Sequence, residues 1–388
     1  MVQNLSVPFD RRVWNECRAL RSAGYEVSAI CPKGDGEQAY RQLEGVHIHR
    51  YRPFPPITRQ ALFLAEYAWS ILATFALLVR VWRRQPFAVV QVCNPPDVLF
   101  AAVLPFQVLF GVRLVFDQHD LCPELYLSRF ARPASLPHRA LLLAERLTYR
   151  VATHVIATNE SYRRVAIERG RKRTADVTVV RTGPDPTTLR RGEPDPSLRR
   201  GHRYLLVYIG VMGPQDGVDI AIRALHHIVD VHGRTDVALT LIGDGDAGPE
   251  LRRLAADLRL GEHVEFTGRA PDELVARVMS TADVGLSPDP KNPLNDVSTM
   301  NKTMEYMAFG LPVVAFDLVE TRVSAQEAAV YAPPNQVPDY AAAILELLSD
   351  DVRRKEMGSL GRRRVEEVLA WSNQVPGYVA VYDRLTGR

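Results

Sequence analysis

The sequence predicts an α/β protein built of two doubly wound, parallel-sheet domains in tandem. Three observations predict it. Short β-rich runs alternate with helical patterns, the alternation starts afresh near residue 202, and a polar Pro/Gly-rich stretch separates the two series. Strands separated by helices of this length mean parallel βαβ units. A length of 388 residues also favours two or three domains over one.

The first series opens abruptly. Only Met1 to Asn4 precede the loop that leads into a helix between Asp10 and Gly24, where a doubly wound domain needs a full strand. Losing a central strand would leave its neighbours' backbone groups uncovered. Either that strand is abbreviated or, the favoured expectation, the start lies inside a longer gene. The helix carries Val13, Cys17 and Leu20 on one face, with Gly24 at the position of a C-terminal cap. Strands follow at Tyr25 to Cys31, Val46 to Tyr51, Ala88 to Val92, Arg113 to Phe116, His154 to Ala157 and Val177 to Val180.

The stretch 191–201, containing Glu193-Pro194-Asp195-Pro196, reads as the linker after an N-terminal domain over 1–190. The second series has strands at Tyr204 to Ile209, Val237 to Ile242, His263 to Phe266, Val284 to Ser287 and Pro312 to Phe316. Val218, Ala221, Ile222, Leu225, Ile228 and Val229 recur between the first two at helical spacing. This domain is expected over 202–368. Ligands of open parallel sheets bind at the carboxyl ends of the strands.

Composition narrows the class. A hydrophobic fraction of 46% with 24% charge is that of an ordinary globular protein. A net charge of +3 argues for no nucleic-acid partner, and the arginine clusters are local solvated faces. Cys17, Cys31, Cys93 and Cys122 show no metal-like spacing and read as reduced core residues of a cytoplasmic protein. Asp10, Arg11 and Arg12 interrupt any cleavable signal peptide. Ala61 to Val81, followed by Trp82-Arg83-Arg84, resembles a membrane span, but Glu66 and Arg80 leave only 13 uncharged residues between them. A span needs about 20. The segment is expected either buried or docked on a membrane surface through 61–84.

Three stretches carry chemistry. From Ser287 to Phe316 a loop ends at Ser298-Thr299, either of which can cap the following helix. Met300, Met304 and Met307 share one face of that helix; Asn301, Lys302 and Glu305 fall nearly opposite. Free N–H groups at a helix start beside a lysine suit a pyrophosphate, and Glu305 can accept two hydrogen bonds from a ribose. The bland reading is a surface Lys302–Glu305 pair. The second stretch runs from Tyr208 to Gly217, where Gly210, Gly213 and Gly217 let backbone N–H groups approach a phosphate; alone it is weak. In the third, Val115 to Glu124, a strand end presents His119 and Asp120, a pair able to orient a sugar hydroxyl or handle a proton, with Glu124 nearby. A histidine merely satisfied by its aspartate neighbour is the alternative.

Together these stretches resemble the retaining glycosyltransferases of family 4, which have the GT-B fold: two Rossmann-like domains facing across a cleft. The resemblance rests on VPFDRRVWNECRALRSAGYEV, FDQHDLCPELY, VIATNES, VVRTGPD, YIGVMGPQDGVD, TLIGDGD, EFTGRAPDELVARVMSTADVGLSP and MEYMAFGLPVVAF, which follow the family's order along nearly the whole chain. It implies an N-terminal acceptor domain and a C-terminal nucleotide-sugar domain. It also implies a final segment, 369–388, whose helix returns to the first domain. Glu305 matches the glutamate that holds the donor ribose, His119 the histidine that contacts the transferred sugar, and Arg269 the base-binding turn. Gly213, Pro214 and Gln215, with Ser298, Thr299, Asn301 and Lys302, complete the expected donor site. Acceptor-side candidates are Pro8, Asp10 and Arg11 in the loop Asn4 to Asp10 and just beyond it, Asn94, Asp120 and Glu124.

Two departures stand out. The family's other glutamate, eight residues earlier, is Val297 here, with Asp296 beside it. Its arginine and lysine after the first donor-domain strand are also missing from Val211 to Asp216. Lys302, three before Glu305, would supply the lost charge, as in a subgroup acting on surface polysaccharides. The resemblance thus implies transfer of a sugar from a nucleoside diphosphate to a glycan or lipid-linked acceptor, with no metal or other cofactor. Two rivals remain at this level. Gly243 to Gly248 is a literal G-x-G-x-x-G after a strand, as in NAD-dependent oxidoreductases, although Asp244 and Asp246 oppose an anion there. A catalytically impaired sugar-binding or membrane-docked scaffold of the same fold is the other.

Overall fold

The computed structural model describes residues 1–55, 63–130 and 132–388. The chain divides into two compact units, 1–182 with 374–388 and 183–373. The stretch expected as linker lies in the second of these. There the amide of Gly192 donates to the Ser280 hydroxyl at 2.9 Å, that of Asp195 to Thr281 at 2.8 Å, and Arg199 grips the Asp283 carboxylate at 2.6 Å.

Unit 1 is an open sheet with helices on its faces. Strands β1 (Ser28–Pro32), β2 (Tyr40–Leu43) and β3 (Val46–Tyr51) form one portion in the order β1-β3-β2, with β2 antiparallel. Strands β4 (Val89–Cys93), β5 (Arg113–Gln118), β6 (His154–Ala157) and β7 (Val177–Val179) form a parallel portion in sequence order. Residues 1–3 bridge the two portions. Val2 pairs with Ile30 and Val92, its amide donating to Gln91 O at 2.8 Å while its carbonyl accepts from Cys93 N at 3.0 Å. The abbreviated strand therefore occupies the central position, and the neighbouring backbone groups are satisfied. Strand β2 has no counterpart among the sequence-predicted strands because its residues, Tyr40-Arg41-Gln42-Leu43, are almost wholly exposed and carry no apolar alternation.

Helix α1 (Arg11–Ser22) begins as the pattern predicts, with Asp10 capping it by accepting from Val13 N at 3.1 Å. Its buried face carries Val13, Cys17 and Leu20, but also Arg12 and Glu16. Helix α2 spans Phe63–Arg84; Ala61 and Leu62, the start of the expected apolar segment, lie outside the described residues. By length and composition its Ala65–Arg84 stretch is long and apolar enough to cross a membrane. Its stripe Ser70, Thr74, Leu78 and Val81 is nevertheless buried, and the helix packs on β1 and β3. The outer stripe, Ala65, Trp69, Leu72 and Ala76, is exposed and runs into Arg80, Arg83 and Arg84. The segment is thus buried on one side and open on the other. All four cysteines are buried and none is in a disulfide.

Unit 2 carries a six-stranded parallel sheet ordered β10-β9-β8-β11-β12-β13, namely Val264–Gly268, Val237–Ile242, Tyr204–Ile209, Val284–Ser287, Val313–Phe316 and Ala329–Ala332. The central strands are buried on both faces, which is why they read as unbroken apolar runs. Strands β8 and β11 are neighbours from which the chain leaves in opposite directions. That is the topological switch point, where an open α/β sheet forms its crevice. The helix Val218–His226 follows β8. Its preceding residue, Gly217, has φ +69° and lies so close to the Pro288 carbonyl beyond β11 that a side chain would collide with it. The glycine draws the two loops at the switch point together.

Candidate functional site

At the switch point of unit 2, the helix Asn301–Ala308 follows the loop after β11. Met304 and Met307 are fully buried and Met300 packs against the core, while Asn301, Lys302 and Glu305 are the residues of the helix that retain exposure. The cap differs from expectation. Met300 holds that position and its own side chain makes no capping bond; the Ser298 hydroxyl donates to Leu294 O at 2.7 Å, closing the 3₁₀ turn Asn295–Val297. Ser298 and Thr299 sit at the loop's end, ahead of the cap position.

Lys302 turns inward. Its ammonium pairs with the buried carboxylate of Asp289 and sits 5.2 Å from the centroid of the Tyr208 ring. Its Cε lies beside Gly210, at the end of β8. Burial alone would lower the lysine's pKa, but Asp289 and then Asp216 more than offset this and raise it, so the ammonium keeps its proton. The other Asp289 oxygen accepts from the Ser287 hydroxyl at 2.8 Å, which in turn receives the Thr303 hydroxyl at 3.1 Å. Asp289, Ser287 and Thr303 were absent from the sequence-derived site. The spacing within SPDPKNP betrays nothing of an ion pair between residues 13 positions apart.

The glycine turn is also more self-contained than expected. The Gly213 amide donates to the Asp216 carboxylate at 2.8 Å, and Gln215 Nε2 reaches the same oxygen at 3.2 Å. Gln215 O accepts from Asn295 Nδ2 at 2.9 Å, tying this turn to the loop after β11. Pro214 is exposed, as is Arg269 just past β10. Asp296, beside the position of the family's missing glutamate, accepts from Val319 N at 3.0 Å and pairs with Lys291 at 3.4 Å. In the G-x-G-x-x-G stretch, the Gly245 amide is taken by Asp244 at 2.9 Å, which removes a donor an NAD pyrophosphate would need.

In unit 1, His119 lies just beyond β5. Its partner is Asp117, with Nε2 2.6 Å from Oδ2, rather than the following Asp120 as the sequence suggests. Asp117 is the penultimate residue of the buried strand and is itself fully buried, whereas Asp120 is already in the turn. Arg12 Nη2 donates to Asp117 Oδ1 at 2.8 Å, and Gln91 Nε2 to Oδ2 at 3.1 Å. Burial would raise the Asp117 pKa, but Arg12 and then His119 more than offset it, holding the carboxyl well below the usual carboxylate range. Glu16, 3.2 Å from the same guanidinium, is driven the other way, its pKa raised by burial and by Asp117.

The remaining acceptor-side candidates divide. Asn94 Oδ1 accepts from the amides of His119 (2.7 Å) and Asp120 (3.2 Å), so it shapes the turn that presents the histidine. Asp120 is partly exposed, its pKa raised by burial. Asp10 serves as the α1 cap; Pro8 is half-buried and Arg11 exposed nearby. Glu124 is paired with Arg169, which also holds Glu145 at 2.6 Å. Cys93, Asp117 and His119 place three ligand-type atoms within 4.8 Å of one another. The set suits a cation poorly. Burial keeps the Cys93 thiol protonated, and the Arg12 guanidinium already occupies Asp117.

Comparison with known proteins agrees with this architecture. A family profile described as "Glycosyl transferase 4-like domain" matches residues 10–183, and one described as "Glycosyl transferases group 1" matches residues 203–350. The D-inositol 3-phosphate glycosyltransferase of Thermomonospora curvata is 30% identical over 188 residues, which are 46% of this chain and 42% of that protein. The chain thus spans under half the length of the relative it matches. Among solved structures, sucrose-phosphate synthase from Thermosynechococcus elongatus superposes with a TM-score of 0.81 at 19% identity, over 100% of this chain and 99% of that one. Anabaena HepE in complex with UDP-glucose gives 0.75 at 17% identity, over 99% and 98%. These likenesses are of fold.

Proposed function

Starting from a chain that belongs to the family-4 glycosyltransferases of the GT-B fold, we propose that it moves a sugar from a nucleoside-diphosphate donor to a glycan or lipid-linked acceptor, with retention and without a metal. The observation that carries this reading is Lys302, a charged side chain beside the glycine turn at the β8/β11 switch point, one helical turn before Glu305. Departure of a nucleoside diphosphate builds negative charge on the leaving phosphate, and a fixed ammonium in a low-dielectric site stabilises it. Glu305 takes the ribose hydroxyls. His119, oriented by Asp117, serves the transferred sugar. The match of unit 2 to a group-1 profile and the fold shared with a UDP-glucose-bound protein support the class of donor. The test is a panel of UDP-, GDP- and dTDP-sugars assayed for donor hydrolysis and for transfer to glycan acceptors. One productive donor is expected; hydrolysis of none would overturn the reading.

A second reading, a sugar-binding scaffold of impaired activity, is favoured by one specific observation. Two groups expected to receive phosphate are already satisfied internally, Lys302 by Asp289 and the Gly213 amide by Asp216. Donor binding by calorimetry without turnover would favour the scaffold.

A lipid-linked acceptor places the enzyme at the cytoplasmic face of a membrane. The support is the outer stripe of α2, three apolar turns ending in Arg80, Arg83 and Arg84. Phe110 stacks on Trp82 at 4.7 Å, and Val108 and Leu109 beside it are exposed, which widens the apolar area. Co-sedimentation with phosphatidylglycerol vesicles, weakened by salt, is expected; failure to bind would refute the location.

A further inference from the structure

The first unit is discontinuous, and its last piece, Gln374–Arg388, holds most of the C-terminal helix Trp371–Thr386 and makes a specific contact with the surroundings of His119. Tyr378 and Tyr382, one turn apart on that helix, both donate their hydroxyls to Gln91 Oε1 in the middle of β4, Tyr378 at 2.9 Å. The other end of the same amide faces the acidic cluster. Gln91 Nε2 donates to Asp117 Oδ2 at 3.1 Å and to Glu16 Oε2 at 2.7 Å. Asp117 Oδ2 is the oxygen that holds His119.

We infer that Tyr378 and Tyr382 are positioning residues for His119, acting through the orientation of the Gln91 amide. A glutamine amide has a donor end and an acceptor end, and only its partners decide which way it points. Here the two hydroxyls claim the carbonyl, which leaves both N–H bonds for the carboxyl groups. Rotated by half a turn, the amide would set its oxygen against Asp117 and Glu16 and its N–H groups against the hydroxyls. Gln91, Asp117, Glu16 and Tyr378 are each no more than 1% exposed, so no water competes for these bonds and each is felt strongly. The consequence is electrostatic. A donated N–H withdraws charge from the Asp117 oxygen facing the imidazole. Without it that oxygen is more negative, and the protonated imidazole is favoured. The other groups around His119 and Asp117 are Arg12 and Glu16 on α1, the Cys93 thiol on β4, and Asp120 in the turn. Arg12 and Asp120 keep their bonds when a tyrosine hydroxyl is removed, whereas Glu16 and the Cys93 thiol lose the same Gln91 N–H that Asp117 loses.

The inference rests on the role given to His119, and its test separates the two. In the full chain, Tyr378→Phe, Tyr382→Phe and the double variant are compared with wild type by NMR titration of histidine-labelled protein and by the pH profile of kcat. Tyr340→Phe, which removes a buried hydroxyl bonded at 2.8 Å to Val314 O in unit 2, is the control. The double variant is expected to raise the His119 midpoint by roughly half a unit or more. It should also lower kcat about tenfold at unchanged donor KM, with each single change giving a smaller shift and the control none. A folded double variant whose His119 midpoint stays in place overturns the inference. Should the double variant fail to fold, the single changes decide in the same way, and two folded single variants with unmoved midpoints overturn it. A shifted midpoint with unchanged turnover would uphold the positioning and remove His119 from the reaction.

Discussion

Each unit sets a basic side chain against a buried carboxylate at the carboxyl end of a strand, yet the two pairs are secured in different ways. Asp117 receives Arg12 at 2.8 Å and Gln91 at 3.1 Å in addition to His119. Its charge is compensated whether or not the imidazole carries a proton. Asp289 has the Ser287 hydroxyl at 2.8 Å and, for charge, Lys302. Asp117 therefore keeps a counter-charge without the histidine, whereas Lys302 cannot swing away without leaving a bare buried carboxylate. A diphosphate bound at Lys302 as proposed above would share the ammonium with Asp289, and stay close to it.

That contrast sets the order of expected effects. Arg12→Met strips Asp117 of its main counter-charge in a fully buried place, and should cost on the order of 3–5 kcal/mol in urea denaturation. A loss below about 1 kcal/mol would mean that Gln91 and His119 suffice, and the contrast would collapse. Lys302→Met should cut turnover about 10²–10³-fold and also destabilise the fold. Lys302→Met combined with Asp289→Asn should recover most of the stability and none of the turnover. Equal stability of the single and double variants would show that Asp289 does not depend on the lysine. Glu305→Ala, partly exposed on the same helix, should weaken donor binding roughly 10- to 100-fold, as for hydrogen bonds to a charged group, with little effect on melting.

The weakest effect concerns acid sensitivity, which should lie in unit 1. His154 is buried, its Nε2 2.9 Å from the Thr178 hydroxyl, and burial followed by Arg384 pushes its pKa down to about 4. A histidine depressed from an ordinary value near 6.5 lends stability that is present above that value and lost as pH falls toward 4. Asp97, raised to about 6 by burial, and Glu145, raised to about 7 by burial, act in the opposite sense over the same range. The signature is therefore the difference between proteins. His154→Gln should flatten the loss of stability between pH 6.5 and 4 relative to wild type. Parallel curves would refute the assignment.

Most strands were legible because they are buried on both faces and leave unbroken apolar runs. His154 to Ala157, Tyr204 to Ile209, Val237 to Ile242 and Val284 to Ser287 fall where the pattern puts them. Strand β2, exposed and polar, and β13 at the sheet's edge left no such trace. The candidate site was legible as positions but not as pairings. The inward faces of Lys302 and His119 depend on Asp289 and Asp117, and local spacing shows only that acids are near, not which one a rotamer reaches. Asp120 beside His119 and Ser298 ahead of the helix Asn301–Ala308 were plausible partners for that reason. The contribution of Gln91 was invisible, since a polar residue within an apolar strand means little until a tyrosine from 287 positions away is set against it.

Because residues 374–388 belong with 1–182, the order of synthesis and the order of assembly differ. While the ribosome is still making the tail, residues 183–373 are a continuous stretch with their own sheet and can settle first, but β4 waits with its glutamine amide unclaimed. The neighbourhood of the histidine is thus among the last things the nascent chain completes. A transcript that stops short of Tyr378 would yield a protein whose second unit is complete and whose Gln91 amide lacks both tyrosine hydroxyls.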